Sequence, residues 1–408
     1  MNIFKNYANK VLFFVFLISL FNYIDRYVLF SVFPLIKEDL ALSDMRLGML
    51  GSAFMIVYMC AAPFVGFIGD RASRPKIIGI SAIVWSVATL LGGLSGNYSH
   101  LLAARSAVGI GEAGYGTVSP SYLAEWFDKS VRARVLALYA LAIPLGSAIG
   151  YILGGWLGGK FGWREAFYIV AIPGIILGIM FLFFRELPDR EKAKEGVSIS
   201  KYIELFKNKP FILLCLSESI VTFSIGGLSA WMPSFFERTF GLSVAKAGIV
   251  FGGITVIGGI TGTLAGGWLA DFLKKRTSMA YYITGGIGMI CAMPFGIGAV
   301  FSGNLTLALT LIFLTEFFVF MYSGPYHAAI VDSVPLEMRS MAFAMQIFLI
   351  HLFGDAISPA ILGKISDMSG SLGTALLVAM IYLAVGFLLS YLAGKAWQSR
   401  LKEMRHGQ

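Results

Sequence analysis

The stretch NYIDRY, residues 22–27, puts Asp25 and Arg26 side by side near the middle of an apolar run that extends from Val11 to Phe33. A run of that length can cross a hydrocarbon core of ~30 Å as a helix. An ionisable residue at mid-depth costs roughly 2.5–3.5 kcal/mol on insertion scales. Two adjacent ones persist only where they face protein or a wet cavity, so the remaining spans are expected to be arranged around this pair.

The composition supports that reading. The 408 residues are 57% hydrophobic and only 13% charged, about half the charged share of a soluble domain. The chain is therefore read as a polytopic membrane protein. Its net charge of +9 does not point to nucleic acid, because the Lys and Arg residues are sorted by topology. Most fall on the side that holds the N-terminus, the 185–209 loop and the C-terminus, and by the positive-inside rule that side is cytoplasmic. The first run is too long for a signal-peptide core, contains Asp25 and Arg26, and is followed by no small-residue cleavage pattern, so it reads as a retained span. Cys60, Cys215 and Cys291 lie in apolar spans without metal spacing and read as buried small hydrophobes.

Twelve apolar stretches follow one another: 11–33, 46–68, 76–95, 98–124, 133–157, 163–184, 210–235, 246–270, 278–301, 304–330, 340–363 and 371–395. The one long polar segment, 185–209, splits the chain into a six-span bundle over 1–185, a cytoplasmic loop over 186–209 and a second six-span bundle over 210–408. Residues 198–208 fit either a short amphipathic helix on the membrane face or a plain linker. The halves repeat: GFIGDRASRPK at 66–76 and GWLADFLKKR at 267–276 both read Gly, three residues, Asp, then a basic cluster.

Parallel six-span repeats are the architecture of the major facilitator superfamily (MFS), with a substrate site at mid-membrane between the halves. Gly66, Asp70, Arg71, Arg74 and Lys76 resemble its signature loop, and Arg105, Gly109 and Gly111 its fourth-span motif. NYIDRY, RSAVGIGEAGYGTVSPSYLAEWF at 105–127 and HLFGDAISPAILGKISD at 351–367 resemble the Spinster-like branch. The resemblance implies an all-α membrane fold of 12 transmembrane helices in two pseudo-symmetric six-helix bundles, and secondary transport. In animal relatives of that branch the substrates are lysolipids and phosphorylated sphingoid bases. It further implies that some aromatics line an amphipathic cavity, and Tyr23, Tyr27, Tyr115, Tyr122, Trp231 and Tyr322 are the candidates.

The residues themselves indicate where coupling chemistry would sit. On the fourth span Glu112 lies near the centre, and Arg105 is seven residues away on the same face, ~10 Å toward the outside. With Asp25 and Arg26 they make two acids and two bases at mid-depth. Desolvation favours a neutral acid and a neighbouring guanidinium favours a carboxylate. A group held between the two can take up a proton in one state and release it in another. Asp70, Arg71 and Arg74, with Asp271 in the second repeat, form a candidate cytoplasmic gate in which the acid caps a neighbouring helix. Phe272 stands where the first repeat has Arg71, which weakens the second copy. His351 and Asp355, four apart on span 11, and the intramembrane acids Glu316 and Glu218 are secondary candidates. Gly109, Gly111 and Gly114 spell a dinucleotide fingerprint, but inside an apolar span without a preceding strand they read as close-packing residues, as do Gly146, Gly150 and Gly154.

The expected function is alternating-access transport of an amphipathic anion, a lysophospholipid or sphingoid-type lipid, coupled to protons through Asp25 and Glu112. The alternative is a carrier of a small organic anion or sugar phosphate, or a drug exporter of the same fold. No nucleophile elbow, HExxH or paired intramembrane Asp argues for an enzyme, and neither cofactor nor metal is expected. The expected partners are substrate, protons and membrane lipids, for a monomer in a bacterial inner membrane with both termini cytoplasmic.

Overall fold

The computed structural model describes residues 2–69, 71–186, 199–335 and 338–406. Among them there is no strand. Eleven spans are long and apolar enough to cross a membrane. The twelfth, α5 (Tyr98–Glu125), is just as long at 28 residues. It is less apolar because it carries Arg105, Glu112 and a run of Gly, Ser and Tyr. Phe64, Trp268 and Phe301 are each at least 70% exposed, as expected of side chains that meet lipid rather than water.

Prolines account for most departures from twelve uninterrupted spans. Helix α1 (Asn2–Ser31) stops where Pro34 opens α2 (Phe33–Leu40). Helix α3 (Asp44–Gly69) and α4 (Arg74–Gly93) follow, the second again with Pro in its first turn. The stretch read as one span over 133–157 is two helices, α6 (Lys129–Ala140) and α7 (Ala142–Phe161). Pro144 has no N–H to offer the Ala140 carbonyl, and α6 ends there. Helix α8 (Trp163–Phe181) completes the first half. The polar segment does form a helix, α9 (Ile199–Lys207), with Leu205 buried and Ile203 and Phe206 exposed.

In the second half α10 (Lys209–Phe240), α11 (Val244–Lys274) and α12 (Ala280–Phe301) are continuous. The tenth span breaks into α13 (Leu305–Val319), a tight turn at 320–322 and α14 (Ser323–Ser333). The eleventh runs through α15 (Arg339–Ile350), a wide π-turn at His351–Asp355 and α16 (Ser358–Ser369). Pro359 leaves the Asp355 carbonyl without an α-helical donor, and the wide turn sits just ahead of it. Helix α17 (Leu372–His406) ends the chain.

Packing divides the chain into two compact units, 1–196 with 232–253, and 197–231 with 254–408. The units are discontinuous, unlike the halves read from the sequence, because α10 and α11 each contribute to both. In the first unit α3 and α4 pack on α5, α1 on α7, and α4 on α8. The α1–α7 contact runs along the glycine stripe. A Cβ on Gly146 would stand 2.7 Å from the Leu20 carbonyl oxygen, and one on Gly150 2.8 Å from that of Ile24. These glycines therefore seat the helix that carries NYIDRY. Gly252 likewise lets α11 lie on α7, where an added Cβ would be 2.9 Å from the Ala148 oxygen. At one end of this unit Arg238 holds buried Asp44 through two hydrogen bonds of 2.6 and 2.8 Å, and Lys37 adds a third at 2.5 Å. In the second unit α12 packs on α13 and α17.

Candidate transport site

Four charged side chains of α1 and α5 meet inside the first unit as two crossed pairs. Arg105 Nη1 donates to Asp25 Oδ1 at 3.2 Å, and Arg26 Nη2 donates to Glu112 Oε2 at 2.5 Å. Asp25, Arg105 and Glu112 are no more than 2% exposed, whereas the Arg26 side chain is 16% exposed. Removing one partner of such a buried pair strands a charge, so each pair holds its two helices in register.

The two carboxylates are not equivalent. Both oxygens of Asp25 are occupied, because Thr89 Oγ1 on α4 donates to Oδ2 at 2.5 Å. Glu112 has only Oε2 engaged, and its buried Oε1 has no protein partner. The Arg26 guanidinium lies over three rings, Tyr23 at 5.0 Å, Phe54 at 4.8 Å and Tyr58 at 5.9 Å. Arg105 shares the Phe54 ring at 5.5 Å. Ring faces stabilise a partly desolvated cation without neutralising it, so the Glu112 carboxylate is the counter-charge of Arg26. Thr89, Phe54 and Tyr58 were not legible as site residues. The available signal, a Thr one helical turn beyond Trp85, is weak.

The Major Facilitator Superfamily model matches residues 15–359. Protein spinster homolog 1 of Xenopus laevis is 33% identical over 384 residues, which cover 86% of this chain and 72% of that protein. This chain belongs to the Spinster-like branch of the major facilitator superfamily.

The Drosophila melanogaster protein spinster is 31% identical, and the match spans 60% of its length. The sphingosine-1-phosphate transporter SPNS2 of Xenopus tropicalis is 31% identical over 86% of this chain and 72% of that one. A crystal structure of a bacterial homolog of the human lysosomal transporter Spinster, inward-facing and unoccupied, superposes with a TM-score of 0.87 at 23% identity, covering 97% of this chain and 98% of that one. This chain is thus an integral, multi-pass MFS transporter related to sphingolipid carriers.

Its second unit holds the other candidates. Glu218 on α10 is 2% exposed and accepts from Gln346 Nε2 on α15 at 2.9 Å, while its Oε2 has no protein partner. His351 Nδ1 and Asp355 Oδ1 are 2.8 Å apart. They sit on the π-turn, where the Ala356 amide reaches the His351 carbonyl at 3.1 Å. Glu316 on α13 is 2% exposed with Oε2 unpartnered.

The described gate candidates each make contacts within their own unit. Asp70 lies outside the described residues. Arg71 turns back onto the Phe67 carbonyl at 3.1 Å. Arg74 pairs with Glu125 at the end of α5 at 2.5 Å, and its amide donates to Glu186 Oε2 at 2.7 Å. Asp271 is exposed and makes no ion pair with a described residue.

Three of the expected cavity aromatics are buried with their polar tips bonded to backbone carbonyls. Tyr115, 2% exposed, donates to the Val15 carbonyl at 2.8 Å. Tyr122, fully buried, donates to the Arg185 carbonyl at 2.7 Å. Trp231, also fully buried, donates through Nε1 to the Pro359 carbonyl at 3.0 Å. An aromatic with a polar tip is buried stably once that tip finds a backbone acceptor. Tyr23, Tyr27 and Tyr322 remain partly exposed. Tyr115→Phe should therefore cost about 1 kcal/mol of stability and leave transport intact. Thermal melting and flux of the purified variant check both halves of that statement.

Proposed function

We propose that this chain is a proton-coupled secondary carrier that moves an amphipathic anion by alternating access. Lysophospholipids and phosphorylated sphingoid lipids are the favoured substrate class. The observation that carries the reading is the inequality of the two carboxylates. Asp25 is held at both oxygens, and Glu112 shares one oxygen with Arg26 and leaves the other unpartnered. A proton on Glu112 would release Arg26. The released guanidinium, flanked by Tyr23, Phe54 and Tyr58, suits an anionic head group attached to an apolar chain. Substrate and proton would then be linked through one ion pair, with Asp25 and Arg105 keeping α1 and α5 aligned. Similarity to proteins named as sphingosine-1-phosphate transporters supports the lipid class. The distribution of Lys and Arg supports cytoplasmic termini, and a monomer in a bacterial inner membrane is the working arrangement.

The test is movement of a labelled lysophospholipid in reconstituted liposomes, with and without an imposed pH gradient, against empty liposomes. Wild-type flux should respond to the gradient. Glu112→Gln should fold and lose at least about tenfold of the driven flux, within the usual range for removing a proton-transfer group, and Asp25→Asn should fold and lose driven flux because α1 and α5 are no longer held in line. Wild-type flux and pH response in both variants would exclude the coupling role. No lipid flux from folded wild-type protein would move the substrate class to small organic anions.

A further inference from the structure

Lys10 and Arg185 converge from two helices on one pocket of about 410 Å3 in the first unit. Lys10 lies on α1, and Arg185 follows α8 by four residues. The Lys10 ammonium is 5.2 Å from the Phe184 ring, and the Arg185 guanidinium is 6.0 Å from the Tyr7 ring. Neither cation makes an ion pair with a described residue. The adjacent acid, Glu186, accepts through Oε2 from the Arg74 amide at 2.7 Å and pairs with neither cation.

The backbone of Arg185 is clamped on both sides. Its amide donates to Tyr7 Oη at 2.8 Å, and its carbonyl accepts from Tyr122 Oη at 2.7 Å. Phe184 beside it stacks on Phe181 at 4.3 Å and meets Phe14 at 5.1 Å. The Arg185 backbone is thus held at both polar atoms, unlike that of a residue on a free loop. Phe183, at 82% exposure, stands beside the two cations as an apolar flank open to lipid.

Surface anchoring alone would explain scattered Lys and Arg at the membrane edge. It does not explain two cations, neither in an ion pair with a described residue, converging on one concavity with an aromatic floor and an exposed apolar wall. We propose that this pocket binds a bilayer phospholipid with an anionic phosphodiester head group. The phosphate would lie between Lys10 and Arg185, and an acyl chain along Phe183 and Phe14. Basic pockets between spans, on the side where Lys and Arg concentrate, suit such head groups. The guanidinium offers two parallel donors to phosphate oxygens. The lipid bridges α1 to the end of α8, and so braces the helix that carries Asp25 and Arg26. This site is separate from the substrate site and does not depend on the reading of Glu112.

The test is native mass spectrometry of the full-length purified chain with equimolar phosphatidylglycerol and phosphatidylcholine of identical acyl chains. Wild type should retain phosphatidylglycerol in excess, and higher salt should erode the excess. Lys10→Gln with Arg185→Gln should reduce it roughly thirtyfold, while Lys10→Arg with Arg185→Lys, and Glu112→Gln, should keep it. If the double variant does not fold, each single variant should still lose about fivefold. Equal retention of both lipids by wild type would overturn the site. So would an unchanged excess in the folded neutral variants, or an excess lost in Glu112→Gln instead, which would assign the adduct to the substrate site.

Discussion

Arg105→Leu is expected to destabilise the protein by about 3–5 kcal/mol, the usual cost of removing one partner from a buried ion pair. Arg105 is 1% exposed, and without it Asp25 would keep only the Thr89 hydroxyl as a partner in a site closed to water. Adding Asp25→Asn should recover much of the loss, because the amide is neutral and its carbonyl oxygen can still accept from Thr89. Thermal or denaturant unfolding in detergent of the two single variants and the double variant forms the cycle. A coupling of about 2 kcal/mol is expected for residues in direct contact, and strictly additive losses would show that the pair is not energetically linked. Leucine fills similar space, so the effect reports stranded charge more than an empty cavity.

Gly109→Val is expected to have the second largest effect. A Cβ on Gly109 would meet the Phe54 carbonyl oxygen and stand 3.0 Å from the Tyr58 amide nitrogen, so backbone rather than a flexible side chain obstructs it. Helices α3 and α5 would have to separate. Overpacking of this kind costs about 1–3 kcal/mol, and here it also displaces Phe54 and Tyr58, whose rings flank Arg26. Folded yield should fall for Val. Flux should fall for Ala even where the protein still folds. Gly253→Ala is the control, because an added Cβ there meets nothing within 4 Å. Equal behaviour at the two positions would rule out close approach as the reason for Gly109.

What the sequence reveals and what it hides divide along physical lines. Hydropathy and charge identify the spans because lipid imposes a length and a composition on each one. The membership of the buried set was also legible: Asp25 and Arg26 are neighbours, and Arg105 and Glu112 share a helix face. Their pairing was not. Whether Asp25 meets Arg105 or Arg26 meets Glu112 depends on the height and rotation of α1 against α5, which the glycine stripe of α7 and the close approach of α3 help to set. Thr89 was missed because a threonine in an apolar helix commonly bonds its own backbone. Spacing cannot tell an aromatic that faces a cavity from one whose hydroxyl reaches a neighbouring carbonyl, as those of Tyr115 and Tyr122 do. The π-turn at His351 was hidden for the opposite reason. The pair was read as sharing the face of an ordinary helix, and its i, i+4 spacing carries no mark of the wider turn that Gly354 and Pro359 accompany.

The crossed pairs also have an electrical consequence. Asp25, Arg26, Arg105 and Glu112 together sum to zero, so a reorienting empty site carries no charge through the membrane field, where each elementary charge would be worth about 2.3 kcal/mol per 100 mV. One proton bound at Glu112 together with one monovalent anion at Arg26 again sums to zero. A cycle of that stoichiometry would respond to the pH difference and be indifferent to voltage. Clamping the potential of proteoliposomes at fixed pH would then leave the flux unchanged, whereas a voltage-dependent flux would require a second proton or a differently charged substrate.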